Sequence, residues 1–337
     1  MTRKIELSQS QIDAIRQANE KTCGSISVPA PITKKTSFVF FAAFDGTNND
    51  KDAVPKNCLS TNVGQLWDQY EAARGRSARL GGAYYKGVGT PGSLTASGWL
   101  PERVSEQTVD TAEQAYADLC VQAAKIRKLE AVAVVLTSFS RGGASAAIFA
   151  QLLYQLGIRH PVTKDTLVAP KNVPVVGGVI FDPVMTGVKC MLAYPPNVSN
   201  LVDLKAINEY RYLFEGADYS NHPEGIIKTY ALYGNHCDVG GSYDNGLAGL
   251  SLRTATKVLS DLGLPIAPVP PQRAYDPDRI AVHTEQFDNF GNKIWSVYNE
   301  DGFSFRDMRL MKSVGVPATP DLFGKIRFLM YDGTVVS

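Results

Sequence analysis

Leu136-Thr137-Ser138-Phe139-Ser140-Arg141-Gly142-Gly143-Ala144-Ser145-Ala146-Ala147-Ile148-Phe149-Ala150 is the stretch whose reading decides the fold. An apolar, valine-rich run from 131 to 136 leads in, and a small-residue helical pattern leads out. The segment therefore reads as strand, sharp turn, helix. A turn of this kind holds one serine, Ser140, in a strained backbone conformation with its hydroxyl above the carboxyl end of a sheet. The pattern it matches is Gly-x-Ser-x-Gly, with Ser138 at the first glycine position. So short a pattern also arises by chance, and a serine there could equally cap a helix.

The flanking chain repeats the strand-helix alternation. Residues 37–44 form a continuous apolar and aromatic run, as expected of a strand buried on both faces, and end in Asp45-Gly46-Thr47-Asn48-Asn49-Asp50. Apolar runs at 173–181 and 226–233 predict two further strands, ending at Asp182-Pro183 and Gly234-Asn235-His236. Helical spacing predicts helices near 8–21, 63–74, 109–128, 144–156 and 250–262. Such alternation indicates an α/β fold with a doubly wound, mostly parallel sheet. Between 58 and 106 the chain is rich in Gly, Ser and Tyr and contains Gly87-Val88-Gly89-Thr90-Pro91-Gly92. A dinucleotide fingerprint needs a strand before these glycines and a helix straight after them, and Ser-Leu-Thr-Ala-Ser-Gly-Trp-Leu-Pro cannot start a long helix. The glycines are read instead as a loop near the site.

Three predicted strand ends present Ser140, Asp182 and His236, in that chain order. Serine, then acid, then histidine is the order of an α/β-hydrolase triad and differs from that of other serine hydrolases. Of the four histidines, His160 precedes the acid, His222 lies in a turn-like Ser-Asn-His-Pro, and His283 sits in a short predicted strand. His236 alone follows a strong strand and precedes a glycine-rich segment. Asp238, two positions on, is the rival acid, or else pins the loop. The backbone N–H of Arg141, with that of Gly46 or Thr47, would form the oxyanion hole, and Asp45 would support that loop.

Composition excludes several other functions. The chain has 337 residues, 44% hydrophobic and 20% charged, with a net charge of +1 and no dense basic stripe to attract nucleic acid. The five cysteines lack the paired spacings of a zinc site and read as mostly free thiols. No cofactor or metal is called for. No apolar stretch approaches the ~20 residues of a membrane span, and the N-terminus has no signal core. The sequence-based expectation is a protein made in the cytoplasm without a cleaved signal.

Four motifs carry a family resemblance: Phe44-Asp45-Gly46-Thr47-x-Asn49, Phe139-Ser140-Arg141-Gly142, Asn208-Glu209-Tyr210-Arg211 and Gly234-x-His236-x-Asp238-Val239-Gly240-Gly241-x-Tyr243. Together they resemble the α/β-hydrolase family that includes the phospholipase effectors of the type VI secretion system, over about 38–263. The resemblance implies a Ser140-Asp182-His236 serine hydrolase acting on acyl esters of phospholipids. It further implies delivery by the secretion machine into the periplasm of a target cell, a secretion-machine partner and a cognate immunity protein. Ser138, where the family usually has glycine, and Cys237, where it often has serine, depart from the pattern. Three parts are expected: an N-terminal helix and linker (1–32), a hydrolase core (33–264) with insertions at about 48–106 and 183–225, and a C-terminal extension (265–337) packed on the core. Within the second insertion, Val184, Met185, Val188, Met191, Leu192 and Tyr194 offer an apolar entrance for acyl chains, or else part of the core. A non-catalytic hydrolase-like binding module and a small-molecule esterase are the competing readings.

Overall fold

The computed structural model describes residues 3–90, 101–190, 192–209, 211, 213–284, 297–298, 304–305, 308–311, 328–329 and 335–336. Its centre is a six-stranded sheet in which every neighbouring pair is parallel. The strands are β1 (Phe38–Phe44), β2 (Leu80–Tyr85), β3 (Val132–Phe139), β4 (Val175–Phe181), β5 (Leu201–Ala206) and β6 (Ile227–Leu232), in the spatial order β6-β5-β4-β3-β1-β2. Its helices are α1 (Gln9–Gly24), α2 (Asn62–Arg74), α3 (Pro101–Ala123), α4 (Gly142–Leu156), α5 (His236–Gly240) and α6 (Leu247–Asp261).

The two-residue period of β1 shows why both faces are covered. Phe38, Phe40, Ala42 and Phe44 point into one core with α3 and α4 side chains, while Val39, Phe41 and Ala43 point into the other, built with α2 and α6. All seven residues are buried, and each phenylalanine so buried contributes roughly 1.5–3 kcal/mol. An apolar strand of this kind has no solvated face and can only sit inside a sheet with helices on both sides. The chain has an α/β fold built on a doubly wound, parallel sheet.

The strand order reverses between the neighbours β1 and β3. At such a switch point the loops leave toward opposite faces and open a crevice above the carboxyl ends. Asp45 and Ser140 are the first residues beyond those two ends.

Two strands come from spans expected to be insertions. β2 lies within 48–106 and β5 within 183–225, so both spans contribute to the sheet. Gly81 and Gly82 dilute the apolar pattern of β2, and Asp203 and Lys205 interrupt that of β5. The apolar run after Asp182 is a further correction. Met185, Val188, Leu192 and Tyr194 are buried in the α3/α4-side core, Val184 is buried beside Ser140, and none offers a surface entrance, while Met191 lies outside the described residues.

Toward the C-terminus, His283–Thr284 pairs antiparallel with Arg3–Lys4, and Met308–Leu310 pairs parallel with Gly216–Asp218. Among the described residues no helix is long and apolar enough to cross a membrane.

Candidate active site

β3 ends at Phe139 and α4 begins at Gly142, leaving Ser140 and Arg141 to make the whole turn. Ser140 adopts φ +55°, a left-handed conformation that strains a non-glycine residue. Its N–H donates to Phe181 O, and its carbonyl accepts from the N–H groups of Gly143 and Val184. The turn is therefore held on both sides. Gly142 is required because a Cβ there would lie 2.3 Å from Phe44 O, so β1 and α4 touch through backbone. Ser138 stands where such turns usually have glycine. It is fully buried, and its hydroxyl has no hydrogen-bond partner among the described residues.

Asp182 follows β4, is completely buried and also has positive φ, +40°. Its Oδ1 accepts the Ala206 N–H at 3.0 Å, and its Oδ2 lies 2.6 Å from Nδ1 of His236. A carboxylate only accepts, so Nδ1 carries the proton and Nε2 is left as the basic nitrogen. Burial draws the His236 pKa below the usual histidine range, although Asp182 opposes it.

His236 opens the short helix α5, a feature the glycine-rich segment did not predict. Asn235 caps that helix by accepting from the N–H groups of Cys237 and Asp238, and Asp238 returns a bond to the Asn235 N–H. Phe139 stacks on the imidazole at 4.4 Å, and Phe214 meets it edge-on at 4.9 Å. Gly240 lets α5 lie on Phe139, since a Cβ there would fall 2.0 Å from the ring.

Ser140 and His236 line one cavity of about 410 Å³, with Val54, Pro55, Leu59 and Phe214 among its apolar walls. No hydrogen bond joins the Ser140 hydroxyl to Nε2 of His236 in this structure. Such bonds often tighten only when substrate is bound.

The loop after β1 packs against Ser140. A Cβ on Gly46 would come within 3.0 Å of the Ser140 Cβ. The Gly46 N–H, however, already donates to Asp45 Oδ1 at 2.7 Å. The N–H groups of Thr47 and Arg141 have no acceptor among the described residues. Asp45 also accepts from the hydroxyls of Thr61 and Tyr84, and its burial pushes its pKa up to about 6. The glycine-rich loop turns out to be a brace: Gly87 N–H donates to Asn49 O, and Asn48 N–H donates to Val88 O. Gly87 presses so closely that a Cβ would meet Gly46 O at 1.6 Å. Pro91 and Gly92 of that motif lie outside the described residues.

The remaining candidates sort themselves by partner. Asp238 contacts His283, not His236: its Oδ1 is 2.5 Å from Nδ1 of His283, and its Oδ2 accepts the His283 N–H. His222 is buried, its pKa lowered to about 4, and accepts the Tyr194 N–H. His160 accepts backbone N–H groups of its own turn.

Sequence reasoning quoted Glu209 and Arg211 but gave them no role. Glu209 Oε2 accepts the His236 N–H at 3.4 Å, while its carboxylate takes two hydrogen bonds from the Arg211 guanidinium. Burial would raise Glu209, but these bonds hold its pKa below the usual value. Arg211 in turn lies 3.5 Å over the Phe214 ring. Tyr210, between them, lies outside the described residues. Only the spacing Glu-x-Arg could have hinted at this pair.

No protein-family model matches the sequence, and no curated protein matches it. Solved structures do. An uncharacterized protein from Pseudomonas aeruginosa superposes with a TM-score of 0.51 at 18% identity, covering 80% of this chain and 51% of its own. The Tle1 effector, solved bound to the VgrG spike of the type 6 secretion system, gives a TM-score of 0.44 at 19% identity, covering 64% and 52%. The chain spans about half the length of each. The first likeness is one of fold.

Proposed function

We propose that this chain is a serine hydrolase of acyl esters, with Ser140 as nucleophile, His236 as base and Asp182 as the acid that orients it. The observation that carries this reading is the 2.6 Å contact between His236 Nδ1 and Asp182 Oδ2, beside a cavity that His236 and Ser140 share. A serine hydroxyl is a poor nucleophile until a neighbouring imidazole takes its proton. Nε2 of His236 takes that proton as Ser140 Oγ attacks the ester carbon. The N–H groups of Arg141 and Thr47 stabilise the oxyanion that forms. Nε2–H then protonates the departing alcohol, and water, activated by the same imidazole, releases the acid and restores the serine.

The substrate is an acyl ester of a phospholipid, and the setting is antibacterial: the chain acts in the periplasm of a target cell after type VI delivery, with a secretion-machine component and a cognate immunity protein as partners. This finer reading rests on the four-motif resemblance, and the cavity's apolar walls suit acyl chains. Two measurements test it. A fluorophosphonate probe should label the wild-type protein and not Ser140→Ala. The wild-type protein should also release fatty acid from phospholipid vesicles and harm cells when directed to the periplasm. Brisk cleavage of a soluble short-chain ester, with no release from vesicles and no toxicity, would reduce the reading to a small-molecule esterase.

A further inference from the structure

The cavity wall contains a guanidinium that pairs with no carboxylate among the described residues. Arg141 Nε donates to Thr186 O at 2.9 Å, Nη1 to Thr47 Oγ1 at 3.0 Å and Nη2 to Leu213 O at 3.4 Å. All three acceptors are neutral, and all three residues line the cavity with Ser140 and His236. Among the described residues no carboxylate lies within ion-pairing distance of Arg141. Three cations near the site do have carboxylate partners: Arg211 with Glu209, Lys86 with Asp50, and Lys51 with Asp52 and Asp68. Burial lowers the Arg141 pKa with no neighbouring charge acting on it.

A half-buried guanidinium without a counter-charge is costly, and it is well made to receive one. Arginine carries five N–H donors in a planar fork, of which three are spent here, so one on each Nη remains. That fork suits a phosphate or carboxylate oxygen pair. From these observations we propose that Arg141 is a specificity-determining residue that selects esters bearing a negatively charged oxyanion group, a phosphodiester or a carboxylate, near the scissile acyl bond. The inference rests on the hydrolase reading and adds to it a recognition element that the triad does not supply. The three neutral bonds fix the fork in place before the ligand arrives, which lowers the ordering cost of binding.

The test compares soluble esters in matched sets: dihexanoyl phosphatidylglycerol, a hexanoyl ester carrying a carboxylate, and a neutral hexanoyl glyceride. The readout is the ratio of kcat/KM for each anionic ester to that for the neutral one. Any effect of a variant on the shared chemistry cancels in this ratio. Wild-type protein should favour the phosphodiester, and Arg141→Gln should lower the ratio at least tenfold. Arg141→Lys keeps the charge without the fork and should fall between. A carboxylate ester favoured equally would mean that the site reads charge, and one not favoured would assign it to phosphate. A ratio unchanged in Arg141→Gln, with both rates reduced together, would overturn the proposal and leave Arg141 as a positioning residue for Thr47. Calorimetry of glycerophosphoglycerol binding to Ser140→Ala protein, with and without Arg141→Gln, needs no turnover. Binding that depends on Arg141, together with no ester cleavage by the wild-type protein, would sink the hydrolase reading and keep this one. Absence of binding alongside an unselective esterase would do the reverse. Should Arg141→Gln fail to fold, Arg141→Lys gives both readouts.

Discussion

Nδ1 of His283 lies 2.5 Å from Oδ1 of Asp238, so a second buried histidine-carboxylate pair stands two residues beyond the one that includes His236. The two pairs do different things. Asp182 holds a histidine that faces the cavity, whereas Asp238 joins α5 to the short strand His283–Thr284 and also bonds the Asn235 N–H. Asp182→Asn should therefore lower kcat by about 10³–10⁴, because an amide cannot fix the required tautomer. Asp238→Asn should act mainly on melting temperature, with kcat within about tenfold at low temperature. If Asp238→Asn proves the more damaging to turnover in a folded protein, the acid has been misassigned.

Ser138 yields a prediction about stability. Its hydroxyl is buried without a partner, a condition that costs about 1–3 kcal/mol. Ser138→Ala keeps the Cβ and removes the orphan, so it should melt at the same temperature or a few degrees higher, with labelling of Ser140 unchanged. A clear loss of stability would mean that the hydroxyl bonds to something, such as a bound water.

The response to pH follows from two opposite shifts. Burial lowers the His236 pKa, so the neutral base persists into mildly acidic solution. The acid limb of kcat/KM should accordingly fall below the ordinary histidine value of about 6.5. Because its folded pKa is depressed, His236 contributes stability above about 6.5 that is lost as the pH falls toward the folded value. Asp45 behaves in the reverse sense: raised from 3.8 to about 6, its contribution is complete below 3.8 and is lost as the pH rises through 6. Melting curves of Asp45→Asn against wild type at pH 5 and pH 8 should show the variant faring relatively better at pH 8.

What could be read from the sequence was what local pattern encodes. The apolar runs of β1 and β3, the turn at Ser140 and the order serine, aspartate, histidine all depend on neighbours in the chain, and the fold followed from them. β2 and β5 were missed because Gly81, Gly82, Asp203 and Lys205 break the apolar pattern, and pairing in the sheet, not composition, makes these segments strands. Burial of Val184, Met185, Val188, Leu192 and Tyr194 could not be told from exposure, since an apolar run looks the same lining an entrance or filling a core. The links from Glu209 to His236, from Asp238 to His283 and from Gly87 to Gly46 join residues 27, 45 and 41 positions apart. No periodicity announces such contacts.

Gly87 supplies the last prediction. The carbonyl of Gly46 occupies the space a side chain would need, at 1.6 Å from an added Cβ, and both partners are backbone, so neither can turn aside. Gly87→Ala must therefore move the 46–49 loop away from the 87–90 loop, and the Thr47 N–H moves with it. Removing one oxyanion donor typically costs about 10²–10³ in kcat. The variant should lose turnover on a soluble ester by about that factor while KM changes much less, and Val88, which sits in the α3/α4-side core, should keep the 87–90 loop anchored. NAD and NADP should show no saturable binding by calorimetry, since Gly87 serves loop-to-loop contact. Normal turnover in Gly87→Ala would detach this loop from catalysis and remove Thr47 from the proposed oxyanion hole.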